Sequence, residues 1–114
     1  MLKNIDGFEK HLTKAKKNNS RTDEAHTYKD LGNAYQSLGK FQEAINYHNK
    51  HLSIAKEVGD SAAEGRAYGN LGNTYRSLGK FQEAINYHNK DLSIAQEVGA
   101  VSYTHLTLPT KRIV

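Results

Sequence analysis

The sequence contains no cysteine and only one proline among its 114 residues. Without cysteine, the chain has no disulfide bond, no thiolate metal ligand and no thiolate nucleophile. A single proline is compatible with long helices, because an internal proline removes a backbone hydrogen bond and clashes with the preceding turn. No apolar run approaches the roughly 20 residues that a membrane span requires, and residues 1–6 lack the apolar core of a secretory signal. We therefore expect a cytoplasmic, helical protein with no membrane partner.

The charge balance does not indicate a nucleic-acid-binding protein. The formal net charge is +4, from 16 basic and 12 acidic residues. The densest basic segment, Lys10–Lys17, has helical spacing and is interpreted as a solvated helix face. Nucleic-acid-binding proteins usually carry a concentrated basic surface, so nucleic acid is not an expected partner.

The chain repeats itself with a period of 40 residues. Residues 37–50 and 77–90 are identical, and residues 31–59 differ from residues 71–99 at only four positions. These four pairs are Ala34/Thr74, Gln36/Arg76, His51/Asp91 and Lys56/Gln96. Self-similarity at a fixed period is the signature of a repeat architecture.

Within each unit the hydrophobic spacing is helical. In the first half of the second unit, one face of a helix carries Tyr68, Leu71, Gly72, Tyr75 and Leu78. Gly79 ends this helix, because glycine readily adopts the left-handed conformation beyond a helix end. The second helix has an inward stripe composed of Phe81, Ala84, Ile85, His88, Leu92, Ala95 and Val98. The unit is therefore expected to be an antiparallel helix pair, and the chain an all-α solenoid of stacked pairs.

The run from Tyr68 to Ala84 has the pattern Tyr-x-x-Leu-Gly-x-x-Tyr-x-x-x-Gly-x-Phe-x-x-Ala, which the run from Tyr28 to Ala44 repeats. This pattern resembles the tetratricopeptide repeat, although that family often has tryptophan in place of the first tyrosine. The resemblance implies a right-handed superhelical solenoid of about two and a half repeats. It also implies a scaffold for protein–protein interaction rather than an enzyme. The unit is longer than the usual repeat of about 34 residues and is similar to repeats of the Partner of Inscuteable-type cell-polarity adaptors.

The register also predicts the boundaries of the units. Residues 1–20 are expected to be the second helix of a partial repeat, and residues 21–60 and 61–100 to be complete repeats. Residues 101–114 do not continue the register and show no helical stripe. They resemble the translation of a transposase-type sequencing adapter, and we interpret them as a non-native, disordered tail.

No pattern in the sequence indicates catalysis, and no cofactor is expected. His48 and His51 are three residues apart, and His88 and Asp91 repeat this spacing. A metal site needs at least a third ligand, which this pattern does not supply, so no metal site is expected. We expect His48 and His88 to fill slots between helices, and His51 and Asp91 to lie at the surface or to loosen the packing.

The candidate binding residues lie on the first helix of each unit, at positions that the packing stripe does not use. The first helices of successive units are expected to line the concave face of a solenoid. Asparagine is unfavourable inside a helix because its side chain competes for backbone hydrogen bonds, so its recurrence there indicates a binding role. The predicted peptide-binding residues are His26, Lys29, Asn33, Gln36, Arg66, Asn70, Asn73 and Arg76.

Three functions are compatible with this surface. In the first, the amides hold the backbone of an extended peptide and the arginines select acidic side chains. In the second, the chain docks a chaperone's C-terminal carboxylate, since Lys29, Asn33 and Asn70 match positions of the carboxylate clamp in chaperone-binding tetratricopeptide domains. In the third, the array is a structural spacer. The last helix keeps an apolar stripe without a capping unit, so self-association through it is also expected.

Overall fold

The computed structural model describes residues 2–106, and the side chains of residues 5–97. This part of the chain forms five α-helices and no strand, which confirms the all-α repeat fold. In chain order the helices are α1 (Leu2–Lys17), α2 (Arg21–Ser37), α3 (Phe41–Val58), α4 (Ser61–Ser77) and α5 (Phe81–Leu106). Helices α2 and α3 pack as one pair, α4 and α5 pack as the next, and α3 contacts α4 between them.

Local signals set the helix ends. The Ser20 hydroxyl accepts a hydrogen bond from the backbone N–H of Asp23 at 3.3 Å, and the Asp60 carboxylate accepts one from Ala63 at 3.0 Å. These caps give partners to backbone donors that have none within the first helical turn. The chain leaves α2, α3 and α4 through glycines with left-handed φ values: Gly39 (77°), Gly59 (73°) and Gly79 (78°).

Helix α5 extends beyond the boundary predicted at residue 100. It continues through Gly99 to Leu106, whereas the sequence analysis predicts a disordered tail from residue 101 onward. The equivalent helix α3 ends because Gly59 is followed by the capping residue Asp60. Gly99 is followed by Ala100, which has no side-chain acceptor to cap a new helix, so nothing local stops α5 there. Residues 107–114 of the predicted tail lie outside the described residues.

In each helix pair, an imidazole on the second helix packs against a glycine on the first. His48 is fully buried, and a Cβ on Gly32 would lie only 2.6 Å from its Cε1 atom. In the second unit, a Cβ on Gly72 would lie 2.8 Å from Cε1 of His88. These contacts confirm that both histidines occupy slots between helices, where a missing Cβ allows close approach.

Three tyrosines and a lysine support this contact in each unit. In the first unit, the Tyr35 and Tyr47 rings stack with centroids 5.4 Å apart. The Lys50 ammonium lies 5.4 Å from the centroids of both Tyr28 and Tyr47. The second unit repeats this arrangement with Tyr68, Tyr75, Tyr87 and Lys90. Both units therefore contain the same cluster, with nearly the same ring distances.

The prediction that His51 lies at the surface is wrong, since only 2% of this residue is exposed. His51 lies in a small cavity between α2, α3 and the start of α4, where Ala25 and Ala63 face it. These two small side chains leave room for an imidazole. The aligned residue Asp91 is partly exposed, and its carboxylate lies against Gly65 and Gly69.

The glycine contact predicts a specific loss of stability. Replacing Gly32 with alanine would force a methyl group into the His48 ring, and we expect the free energy of unfolding to fall by roughly 1–3 kcal/mol. Gly7 has no neighbouring atom within 4 Å of an added Cβ, so Gly7→Ala should raise it by up to about 1 kcal/mol. Urea denaturation of both variants tests this, and equal effects would contradict the close packing.

The outward face of α5 is apolar and uncovered. Phe81, Ile85 and Leu92 are 63%, 51% and 55% exposed, so the inward stripe predicted for this helix is buried only where it meets α4. In α3, the residue aligned with Ile85 is Ile45, which is 4% exposed. The difference arises because α4 covers α3.

Exposed apolar side chains favour association in water. We therefore expect the chain to form weak oligomers whose population rises with concentration in sedimentation velocity experiments. Leu92→Glu should leave the chain monomeric, while Ser93→Glu, which places the same charge one residue away from the apolar stripe, should not. A wild-type chain that stays monomeric at high concentration and melts cooperatively at high temperature would disprove this expectation.

Candidate functional site

The first helices of the two complete units, α2 and α4, are direct neighbours. Between them lies an open polar groove with a volume of about 510 Å³. Its lining consists of Asn33, Gln36, Ser37, Phe41, Asn70, Asn73 and Ser77. All four amide residues predicted from the sequence therefore lie in the same groove. They come from two units, and they meet there because a 40-residue repeat places equivalent positions side by side.

A hydrogen bond between the units fixes one wall of the groove. The Thr74 hydroxyl lies 3.0 Å from Oε1 of Gln36 on α2 and 2.8 Å from the carbonyl oxygen of Asn70 on its own helix. Thr74 is completely buried, so its single proton is shared between these two acceptors. The contact was not predicted, although the sequence carries a signal for it in the Ala34/Thr74 difference between otherwise similar units.

The predicted basic residues Lys29 and Arg66 come from different units but lie near the same imidazole. The pKa of His51 is lowered to about 4, mainly by burial and then by the positive charges of Lys29, Arg66 and His26, while Asp60 acts in the opposite direction. Charges on both α2 and α4 therefore act on this one imidazole. Arg76 is exposed in the last turn of α4.

His26 lies apart from the amide groove. It lines a separate groove of about 380 Å³ between α1 and α2, together with Phe8, His11 and Asp30. It also borders the small cavity that contains His51. The structure thus places the predicted residues in two groups: an amide group in the α2–α4 groove, and a basic group of His26, Lys29 and Arg66 near His51.

The two buried histidines of α3 have nitrogens without partners among the described residues. Both ring nitrogens of His48 and the Nδ1 atom of His51 are buried and form no hydrogen bond there. The pKa of His48 is lowered to about 4, mainly by burial and then by the neighbouring His51. Both rings are therefore neutral at pH 7. The described residues contain no group of three or more metal-ligating side chains that could hold an ion.

These histidines should make folding sensitive to acid. The folded pKa of each is about 4 against an ordinary value of 6.5, so between these pH values the unfolded chain binds more protons than the folded chain. The free energy of unfolding therefore decreases as the pH falls from about 6.5 to about 4, by at most about 1.4 kcal/mol per pH unit for each histidine. Denaturant titrations across this range measure the slope.

Two matched variants test whether the buried imidazoles cause the pH dependence of the free energy of unfolding. His51→Asp introduces the residue that the second unit carries at position 91, and we expect a shallower dependence on pH. His11→Asp makes the same change at the equivalent position of α1, where the side chain is exposed, and should have a smaller effect. Identical slopes in both variants and the wild type would show that the buried imidazoles do not control acid stability.

None of the helices in the described part of the chain is long and apolar enough to cross a membrane. Helix pairs repeated with close internal packing, and a groove formed by their first helices, define the class of helical-repeat binding scaffolds. A family model described as tetratricopeptide repeat matches residues 8–97. The chain therefore belongs to the tetratricopeptide repeat family.

Comparison with solved structures supports the same conclusion. The chain is similar to the tetratricopeptide repeat domain of FLU from Arabidopsis, with a TM-score of 0.77 and 27% sequence identity. The match covers 83% of this chain and 80% of the Arabidopsis domain. Comparison with curated proteins gives no match. Tetratricopeptide repeat domains generally mediate protein–protein interactions and are typically non-enzymatic scaffolds.

Proposed function

We propose that the α2–α4 groove binds an extended, acidic segment of a partner protein. The observation that carries this proposal is the set of four amide side chains from two units in one open groove: Asn33, Gln36, Asn70 and Asn73. An amide can donate to a peptide carbonyl and accept from a peptide N–H. A row of amides can therefore hold a peptide backbone in an extended conformation without requiring a particular sequence.

The preference for acidic side chains comes from basic residues on the same two helices. Lys29 precedes Asn33 on α2 and Arg66 precedes Asn70 on α4 by one helical turn, and Arg76 is exposed in the last turn of α4. An arginine guanidinium binds a carboxylate through two parallel hydrogen bonds, which are stronger than bonds between neutral groups. The peptide backbone would then lie on the amides, with acidic side chains directed towards these cations.

A second candidate is a docking site for the C-terminal carboxylate of a chaperone. It is favoured by the positions of Asn33 and Asn70, which lie in the same groove, and of Lys29, which lies one helical turn before Asn33 on α2. In this function a terminal carboxylate, rather than acidic side chains, provides the main negative charge. A third candidate, a structural spacer, needs no ligand and is supported by the near-identity of the two units.

Charge reversal distinguishes the binding functions from the spacer. Fluorescence anisotropy with a set of labelled acidic peptides should show binding that Arg66→Glu together with Arg76→Glu reduces at least tenfold, because two attractions become repulsions. Lys17→Glu changes the charge of an exposed residue at the end of α1 and should reduce affinity much less. Unchanged binding in the double variant would contradict the acidic-peptide function, and absence of any binding would favour the spacer.

The C-terminus of the peptide separates the two binding functions. Each acidic peptide is measured with a free and with an amidated C-terminus. Extended-peptide binding predicts similar affinities, since the backbone and the side chains are unchanged. Docking of a chaperone C-terminus predicts loss of binding on amidation, and this result would replace the leading proposal with the second candidate.

A further inference from the structure

Of the four amide side chains in the α2–α4 groove, only that of Gln36 is hydrogen-bonded to another residue that the structure describes. Its Oε1 atom accepts a hydrogen bond from the Thr74 hydroxyl of the next unit at 3.0 Å. The side chains of Asn33, Asn70 and Asn73 line the same groove and form no such bond with the described residues. Gln36 is therefore the groove amide whose orientation is set by the contact between the units.

The bond from Thr74 occupies the oxygen end of the Gln36 amide and leaves the nitrogen end for the groove. The Nε2 atom of Gln36 forms no hydrogen bond with the described residues, and it is not among their buried atoms that lack a partner. Gln36 also lines the open groove. The nitrogen of a primary amide carries two donors. The groups that Gln36 offers to a ligand are therefore N–H donors, which fit a peptide carbonyl oxygen.

Thr74 can hold this amide because its own side chain has little freedom. It is completely buried, and its hydroxyl also lies 2.8 Å from the carbonyl oxygen of Asn70, one turn earlier on α4. The branched Cβ further restricts its rotamers. A free glutamine side chain, by contrast, loses considerable rotamer entropy when it becomes ordered. An amide that is ordered before the ligand arrives spares the ligand this cost of binding.

We propose that Thr74 is a positioning residue for peptide binding, because it holds the Gln36 amide with its N–H donors directed towards a carbonyl oxygen of the extended peptide. This role rests on the proposed function of the groove. Thr74 is completely buried and does not touch the peptide, so it acts through Gln36. The first unit has Ala34 at the equivalent position, which shows that the fold of a repeat does not require the hydroxyl.

Two substitutions separate the hydroxyl from the shape of the side chain. Thr74→Val keeps the branched shape without the hydroxyl, so the ligand itself must order Gln36. We expect it to weaken the binding of acidic peptides about three- to tenfold in fluorescence anisotropy. Thr74→Ser keeps the hydroxyl and should retain most of the wild-type affinity. Circular dichroism checks that both variants are folded, and equal affinities of the two would overturn the role of the hydroxyl.

A double-mutant cycle tests whether Thr74 acts through Gln36. Gln36→Met removes the amide and keeps a flexible side chain of similar length. Thr74→Val is then measured in the wild-type chain and in the Gln36→Met chain. If Thr74 only positions the amide, its replacement should have no further effect on affinity once the amide is absent. An equal loss in both chains would show that Thr74 supports the groove as a whole, and the proposed role would be wrong.

Isosteric acids test which groups Gln36 presents to the ligand. Gln36→Glu can still accept the hydrogen bond from Thr74, but it presents an oxygen in place of the N–H donors. Asn33→Asp introduces the same charge about one turn earlier on α2, on an exposed side chain. Because the added charge is common to both variants, the loss of affinity should be larger in Gln36→Glu. Equal losses would overturn the assignment of donors to Gln36.

A measurement without ligand separates the role of Thr74 from the proposed function. In NMR relaxation experiments, the side-chain NH2 group of Gln36 should be more rigid than that of Asn33 in the wild-type chain, and equally mobile in Thr74→Val. A mobile Gln36 amide in the wild-type chain would overturn the positioning role even where peptides bind. If a rigid amide is found and no acidic peptide binds, the proposed function fails, and with it the part assigned to Thr74 in binding.

Discussion

The contact between an imidazole and a glycine determines the geometry on which the other interactions depend. His48 packs where Gly32 has no Cβ, and His88 does the same against Gly72. The ring sets how closely the two helices of a unit approach, and this separation allows the tyrosines to stack at 5.3–5.4 Å in both units. The cost is a buried neutral imidazole without hydrogen-bond partners among the described residues, which amounts to about 1–3 kcal/mol for an unsatisfied polar group. Close packing around the ring has to offset this cost, so the contact tolerates little change in size.

Since each pair has the same internal geometry, the differences between the units matter mainly where the units meet. Thr74 donates to Gln36 across the junction, and no equivalent is available to Ala34. The Lys56 ammonium lies 5.6 Å from the centroid of Tyr68 in the following unit, whereas Gln96 has no positive charge for such a contact. Each of the four differing pairs in residues 31–59 and 71–99 has a member at the contact between one unit and the next: Thr74, Gln36, Lys56 and His51. The packing inside a unit is therefore repeated, whereas the residues that contact the neighbouring units differ between the two units.

The sequence was sufficient to predict the elements that local rules control. Glycine after an apolar stripe ends α2 and α4, and the histidine at a fixed position of the second helix occupies the predicted slot. The burial of His51 was not predictable from its polarity, because it depends on Ala25 and Ala63, which come from two other helices. Helix α5 continues through Gly99, where the capping residue that follows Gly59 is absent. The predicted amides did meet in one groove, but their connection through Thr74 requires the register between α2 and α4, which a single sequence does not contain.

The same register connects the groove to the packing inside the second unit. Helix α4 forms one wall of the groove with Asn70 and Asn73, and it packs against α5 through Gly72 and His88. Contacts in a repeat array act between neighbours, so the position of this wall depends on the pairing of α4 with α5. Gln36 and Arg76 occupy equivalent positions, but the glutamine is engaged by Thr74 of the next unit, whereas the arginine is exposed. The amide of Gln36 is therefore held in a fixed position in the groove, beside Asn33, Asn70 and Asn73.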